Sequence, residues 1–129
     1  MVNSHVFSYI NVLDKAADAA WLRNDAIANN IANIDTPGYK RQDVAFESQL
    51  ERALGHLAYE SMDDKVYNVN LNQLNSRVYT DAAEFSYRLD HNNVDIDTES
   101  VYMAENQIKY NAILDSIQKE FANLKAVMK

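Results

Sequence analysis

Apolar and small residues recur along the N-terminal third of the chain in alternating steps of four and three. They are Val6, Ile10, Leu13, Ala17 and Ala20, then Asn24, Ile27, Ile31 and Ile34. This is the spacing of a coiled-coil seam. It predicts a helix over residues 5–33, about 43 Å long at 1.5 Å per residue, with Asn3 or Ser4 as N-cap. Phe7, Trp21 and Leu22 lie off the seam and make the apolar face wider than one partner helix can cover. Ala16, Ala17, Ala19 and Ala20 permit close helix approach. Asn24 interrupts the seam with a polar side chain, which either faces a wet edge or fixes register and partner number.

The pattern breaks at Asn29-Asn30-Ile31-Ala32-Asn33-Ile34-Asp35-Thr36-Pro37-Gly38-Tyr39-Lys40-Arg41. Pro37 and Gly38 suit the central positions of a type II turn, with glycine supplying the positive φ. Pro37 also disfavours helix at Thr36, so the helix is expected to stop between Asn33 and Asp35. Asn33 can take the left-handed conformation that caps a helix end.

Past the turn, Phe46, Leu50, Leu54 and Leu57 repeat at helical spacing, and Gly55 is a candidate stop. A short helix over about residues 43–54 follows. Tyr67, Val69 and Leu71 alternate with Asn68, Asn70 and Asn72, the period of a half-buried strand or extended arm. Residues 60–84 carry few apolar anchors and are expected to order against a neighbour. Phe85, Tyr87 and Leu89, then Val94 and Ile96, alternate with polar residues on either side of His91-Asn92-Asn93. That reads as a hairpin with its turn centred on His91 to Asn93.

A second long helix is expected from about Thr98, capped by Asp97 or Thr98, with Glu99 in its first turn. Its seam is Met103, Gln107, Tyr110, Leu114, Ile117, Phe121, Leu124 and Met128, again in steps of four and three. Lys119, Lys125 and Lys129 suit the negative end of its dipole. The expected fold is therefore mainly α. Two long terminal helices form a coiled-coil-like pair, most simply antiparallel, and carry a middle segment of short helix, extended arms and a small β-hairpin. One structural unit results, divided as residues 1–35, 36–97 and 98–129. Its expected interface residues are Ile10, Leu13, Asn24, Ile27 and Ile31 on the first seam, with Tyr110, Leu114, Ile117, Phe121 and Leu124 on the second.

Two of these stretches carry a resemblance. Asn29, Asn30, Ala32 and Asn33, followed by Thr36, Pro37, Gly38 and Tyr39, resemble the signature near the N-terminus of bacterial flagellar rod and hook subunits. The segment from Tyr87 to Asp97, with Asn92, Asn93 and Asp95, resembles the lead-in to the last helix of proximal-rod subunits in that family. His91 stands where the family's turn usually has glycine. Phe46 and Leu50 resemble the short Phe-x-x-x-apolar pattern linked to recognition by the flagellar export gate, although an ordinary amphipathic turn gives the same spacing. The resemblance implies a structural subunit of the basal-body rod whose terminal helices pack in a tubular assembly that transmits torque and lines the export channel. Its implied partners are further copies of itself, other rod proteins, the rod-to-MS-ring adapter and the export gate. It also implies a place in the periplasmic rod, reached from the cytoplasm without a cleaved signal.

Composition narrows the alternatives. With 12 basic against 19 acidic residues and a net charge of −7, a phosphate backbone is a poor partner, and so is an anionic membrane. Asn11, Asp14 and Asp18 break any signal-like apolar run, and no stretch approaches the ~20 apolar residues of a membrane span. There is no cysteine, so no disulfide, thiolate metal site or thiol nucleophile can form. His5, His56 and His91 have no metal-ligand spacing. A calcium loop starting at Asp90 fails at Val94, Asp95 and Val101, which would have to be an oxygen ligand, glycine and glutamate. With only Gly38 and Gly55 there is no phosphate-cradling loop. No enzyme, cofactor, nucleic acid or small-molecule substrate is expected. The alternative from a different class is a helical adaptor that takes one partner helix in its apolar groove.

Overall fold

The computed structural model describes residues 7–55, 61–81 and 88–128. The proposed caps Asn3 and Ser4 lie outside them. Helix α1 runs Ser8–Ala32 and is followed by strand β1, Gln42–Ala45. Next come α2, Glu47–Leu54, α3, Met62–Asn68, and a single 3-10 turn at Leu71–Gln73. Strand β2, Arg77–Thr80, precedes α4, Ile96–Val127. The helix pair is antiparallel: Glu99, near the start of α4, meets Asn30, and Asn106 meets Ala20 further back along α1.

The N-terminal helix stops where Pro37 requires, but not as a left-handed cap. Asn33 has φ −105° and ψ 19°, and its side-chain amide donates to the Asn29 carbonyl at 2.8 Å. The turn itself matches expectation. Gly38 has φ +74°, and the Tyr39 N–H donates to the Thr36 carbonyl at 3.2 Å.

The middle segment departs further from the sequence pattern. Residues 42–45 are strand, so the helix expected over 43–54 shortens to start at Glu47; Gly55, at φ +68°, ends it. The strand wins because β-branched Val44 enters the core while its neighbours pair with β2 in the register Gln42↔Thr80 to Ala45↔Arg77. The expected extended arm at residues 67–72 is largely helical. Ser61 Oγ accepts from the Asp64 N–H at 3.2 Å, and this N-cap starts α3 against the alternation of Tyr67 and Val69. Leu74 is completely buried with Ala19, Ala26, Val44 and Phe46, so residues 61–81 have the anchor that the pattern did not reveal.

The hairpin expected around His91 is replaced by a turn and an extended link. The His91 N–H donates to the Arg88 carbonyl at 3.3 Å, His91 itself sits at φ +59°, and Ile96 already opens α4. Residues 82–87, where the hairpin's first strand would fall, lie outside the described residues. The small antiparallel sheet is β1 with β2 instead. α4 starts at Ile96, two residues before the expected Thr98, and its cap is Asp95. Its carboxylate accepts from the Asp97 N–H and the Thr98 hydroxyl, each at 3.0 Å.

Candidate functional site

The two signature stretches, 50 or more residues apart, fold into one junction at the end of the helix pair. Asn30 is its inner pin, fully buried on α1. Its Nδ2 donates to the Gln42 carbonyl at 2.8 Å and to Glu99 Oε2 at 3.0 Å. Its Oδ1 accepts from the Gln42 N–H at 2.8 Å and from the Tyr39 hydroxyl at 3.2 Å. One amide thus ties α1 to the edge of β1 and to the start of α4, with every polar atom used.

Glu99 is 1% exposed, and a buried carboxylate needs a cation. Arg41, four residues beyond Pro37, supplies it: Nε donates to Glu99 Oε1 at 2.7 Å. The same guanidinium approaches Asp43 at 3.4 Å and Asp81 at 3.5 Å and lies over the Tyr102 ring, 5.4 Å from its centroid. The fold separates Arg41 from its neighbour Lys40. Lys40 donates to the His91 carbonyl at 2.7 Å, while Arg41 turns inward.

Asn92 takes the place of a left-handed cap. Its buried Nδ2 lies 2.9 Å from each of the Asn33, Ile34 and Thr36 carbonyls, in the turn that follows α1. Its Oδ1 accepts from the Val94 N–H at 2.8 Å. Asn93 adds a clamp from the other side: Oδ1 accepts from the Arg41 N–H at 2.7 Å and Nδ2 donates to the Asp81 carbonyl at 3.0 Å. Arg88 reaches the Ile34 carbonyl at 2.7 Å, and the Gly38 N–H donates to the Asp90 carbonyl at 2.7 Å. Asn33 and Thr36 bond one another at 3.2 Å, whereas Asn29, Ala32, Pro37 and Gly38 are exposed.

A second polar cluster sits midway along the pair. The Arg23 guanidinium makes a two-pronged contact with Glu47, at 2.7 and 2.6 Å, and bonds Asp43 and the Val44 carbonyl; Lys109 on α4 also reaches Glu47. The Arg23 hydrogen bonds hold the Glu47 carboxyl well below the usual carboxylate range. Partial burial opposes the shift and Lys109 adds to it.

On α1 the expected seam faces inward. Ile10 and Ile27 are buried, and Leu13, Asn24 and Ile31 are half-buried. On α4 the seam is shifted at every second step. Met103, Tyr110, Ile117 and Leu124 face the pair, but the positions between them are Asn106, Ile113 and Glu120, not Gln107, Leu114 and Phe121, and Glu99 precedes them one step back. Phe121 is 51% exposed, and Leu114 is half-buried beside the seam. A polar residue that the seam did not include, Asn106, bonds across the pair: its Nδ2 donates to the Ala20 carbonyl at 2.8 Å. A spacing of seven residues from Glu99 to Asn106 was the available signal, hidden because both residues are polar. Phe46 is buried in the core, with Leu50 packed against it.

The cleft between the helices is lined by Arg23, Arg41, Asp43, Tyr102, Glu105 and Lys109 beside Ile27 and Asn106, without a serine or histidine nucleophile–base pair. Among the described residues no His/Cys/Asp/Glu cluster could hold a metal, and no helix is long and apolar enough to cross a membrane.

Residues 10–40, the N-terminal half of the junction, match the family model described as flagella basal body rod protein. Over nearly its whole length the chain is similar to flagellar basal body rod proteins named FlgB. It is 35% identical to that of Bacillus subtilis (strain 168), over 92% of each chain. It is 30% identical to that of Borrelia hermsii, over 93% of this chain and 95% of the other, and 28% identical to that of Escherichia coli (strain K12), over 82% of each. Similarity of this extent, together with both signature stretches, places the chain in a family of structural proteins, not enzymes: it belongs to the flagellar basal body rod proteins of the FlgB type.

Proposed function

We propose that the chain builds the proximal rod by packing the outer faces of α1 and α4 against further copies and other rod proteins. One observation carries this reading. The only fully buried side chains of the 32-residue α4 are Glu99 and Asn106, both polar, while Val101, Ile108 and Phe121 are more than half exposed. On α1, Trp21 is 65% exposed. A helix whose most buried residues are polar, and whose apolar residues are only half-buried or exposed, leaves much apolar surface uncovered by its own partner. Covering one half-exposed apolar side chain is worth roughly 1 kcal/mol, so a subunit with several of them completes its stabilisation in the array, and folding is coupled to assembly.

In this reading torque passes through packed helices tied at the junction, and the array lines the export channel. Neighbours at its base are the rod-to-MS-ring adapter and the export gate. The subunit leaves the cytoplasm without a cleaved signal and takes its place in the periplasmic rod. Phe46 and Leu50 are read by the gate before folding, because Phe46 is inaccessible once the core closes. Hydrogen exchange of the free chain and of assembled rods tests the central claim. Exchange across residues 8–32 and 96–127 is expected to be measurable in the folded free chain and to slow sharply in the rod. Equal protection in both states, with binding to a single helix at fixed stoichiometry, would favour the adaptor instead.

A further inference from the structure

Strand β1 is hydrogen-bonded on both edges and β2 on one. On the edge of β1 away from β2, Asn30 takes both backbone groups of Gln42, Arg23 Nη2 donates to the Val44 carbonyl at 2.7 Å, and the Val44 N–H donates to Asp43 Oδ1 at 2.7 Å. The backbone groups of Gln42 and Val44 therefore point away from β2, and the carbonyl of Arg41 and the backbone groups of Asp43 and Ala45 point toward it. The Asp81 N–H donating to the Arg41 carbonyl at 2.8 Å fits this phase. By the antiparallel register, Arg77, Tyr79 and Asp81 face β1, and the N–H and C=O groups of Val78 and Thr80 point away from it. Those four groups have no hydrogen-bond partner among the described residues, and all four β2 residues are exposed.

We propose that this edge pairs with the same edge of a second copy of the chain, antiparallel about a two-fold axis at Tyr79. The edge is complementary to itself. In the centred register Val78 faces Thr80 of the second copy and exchanges both backbone hydrogen bonds with it, and the symmetric pair does the same. Tyr79 faces its own counterpart at a non-hydrogen-bonded position, where side chains come closest. Arg77, which has no ion-pair partner among the described residues, faces Asp81 of the second copy, already beside Arg41 at 3.5 Å. A shift of one residue would oppose outward groups to groups that face away. A shift of two would set Tyr79 against Arg77 or Asp81 and shorten the ladder. Among the described residues β2 offers the free strand edge, so a second β2 is the partner the chain itself supplies. The contact closes on itself and uses neither outer helix face assigned to the array. It holds unassembled chains as pairs and covers an edge that would otherwise invite open-ended strand addition.

The chain has no cysteine, so one introduced thiol reports the register. Under mild oxidation of the full-length protein, Tyr79→Cys is expected to cross-link rapidly to a dimer. Val78→Cys, diagonal to its counterpart at ~7–8 Å, is expected to cross-link at least tenfold more slowly. Sedimentation velocity over a concentration series is expected to give a monomer–dimer equilibrium. Val78→Pro, which removes only an outward N–H and two of the four inter-copy hydrogen bonds, is expected to weaken the dimer at least tenfold with unchanged circular dichroism. Arg77→Asp is expected to weaken it as well. A monomer at every concentration, equal cross-linking at both positions, or an oligomer indifferent to Val78→Pro would overturn the proposal.

Discussion

Replacing Asn30 by aspartate changes the junction by a few atoms and reverses its electrostatics. The asparagine donates to the Gln42 carbonyl at 2.8 Å and to Glu99 Oε2 at 3.0 Å from a fully buried position. An aspartate of the same shape has no proton for either and sets a second negative charge against Glu99. Two unit charges ~4 Å apart at an effective dielectric of about 20 repel by about 4 kcal/mol. The new carboxyl can avoid this by keeping its proton. From an unfolded pKa near 3.9, that costs about 1.36 kcal/mol per pH unit, or roughly 1.5 kcal/mol at pH 5 and roughly 4 kcal/mol at pH 7. The folded pKa of the introduced carboxyl would lie above the unfolded one, so the folded state holds the extra proton and stability falls as pH rises through this window. Asn30→Ala loses all four hydrogen bonds, about 3 kcal/mol, but adds nothing that titrates. Urea unfolding of the free chain, followed by helical circular dichroism at pH 5 and pH 7, separates the two. The aspartate penalty, relative to wild type at the same pH, is expected to grow by roughly 2.5 kcal/mol, and the alanine penalty to stay level. Parallel penalties, or an aspartate cost under about 1 kcal/mol at pH 7, would refute the claim that Asn30 and Glu99 meet in a buried junction.

Three other substitutions address separate parts of the fold. Because Arg23 depresses the Glu47 pKa, the stability this contact contributes is complete above the unfolded carboxylate value near 4.3 and is lost as pH falls; acid unfolding of wild type should therefore be steeper below about pH 4.5 than that of Glu47→Gln. His91 carries a side chain at φ +59°, and His91→Gly should raise stability by about 0.5 kcal/mol, the relief of left-handed strain less the entropy of a freer unfolded chain; His91→Ala should show no gain in the same thermal melt. Asn106→Leu removes one cross-helix hydrogen bond together with a buried, unpartnered Oδ1, so it should cost less than about 1 kcal/mol, whereas Asn106→Ala should cost about 2 kcal/mol or more by leaving a hole in the interface.

The long helices and the Pro-Gly turn could be read from the chain because periodicity and turn chemistry are local. The phase of α4 could not. Its apolar residues surround the helix, and periodicity finds the best apolar stripe whether or not that stripe meets α1. The seam that does meet α1 runs through Glu99 and Asn106, which look like surface residues until Arg41 and the Ala20 carbonyl are seen opposite them. The middle segment failed for a similar reason. Tyr67, Val69 and Leu71 alternate convincingly, but a cap at Ser61 and the burial of Val66 decide α3. Likewise, the partner of β1 lies more than 30 residues away at β2, beyond any window of local pattern. The signature residues Asn30, Asn92 and Asn93 were recognisable as a motif, yet nothing local says that Asn92 caps the helix containing Asn30.

In the proposed array, the polar contacts between α1 and α4 have a use that apolar packing alone would not supply. An all-leucine seam between α1 and α4 would be more stable, but helices joined only by apolar contacts slide and rotate at little cost. Asn30 with Glu99, and Asn106 with the Ala20 carbonyl, can be satisfied in one register alone. That register fixes which residues of α4 look outward, and so presents Val101, Ile108 and Phe121 as surfaces of defined orientation. In a repeating array, an error in helix phase would be copied at every contact. In the proposed packing, stability forgone inside the subunit is recovered where the outer residues are covered, and rigidity is gained on assembly while the geometry is set beforehand.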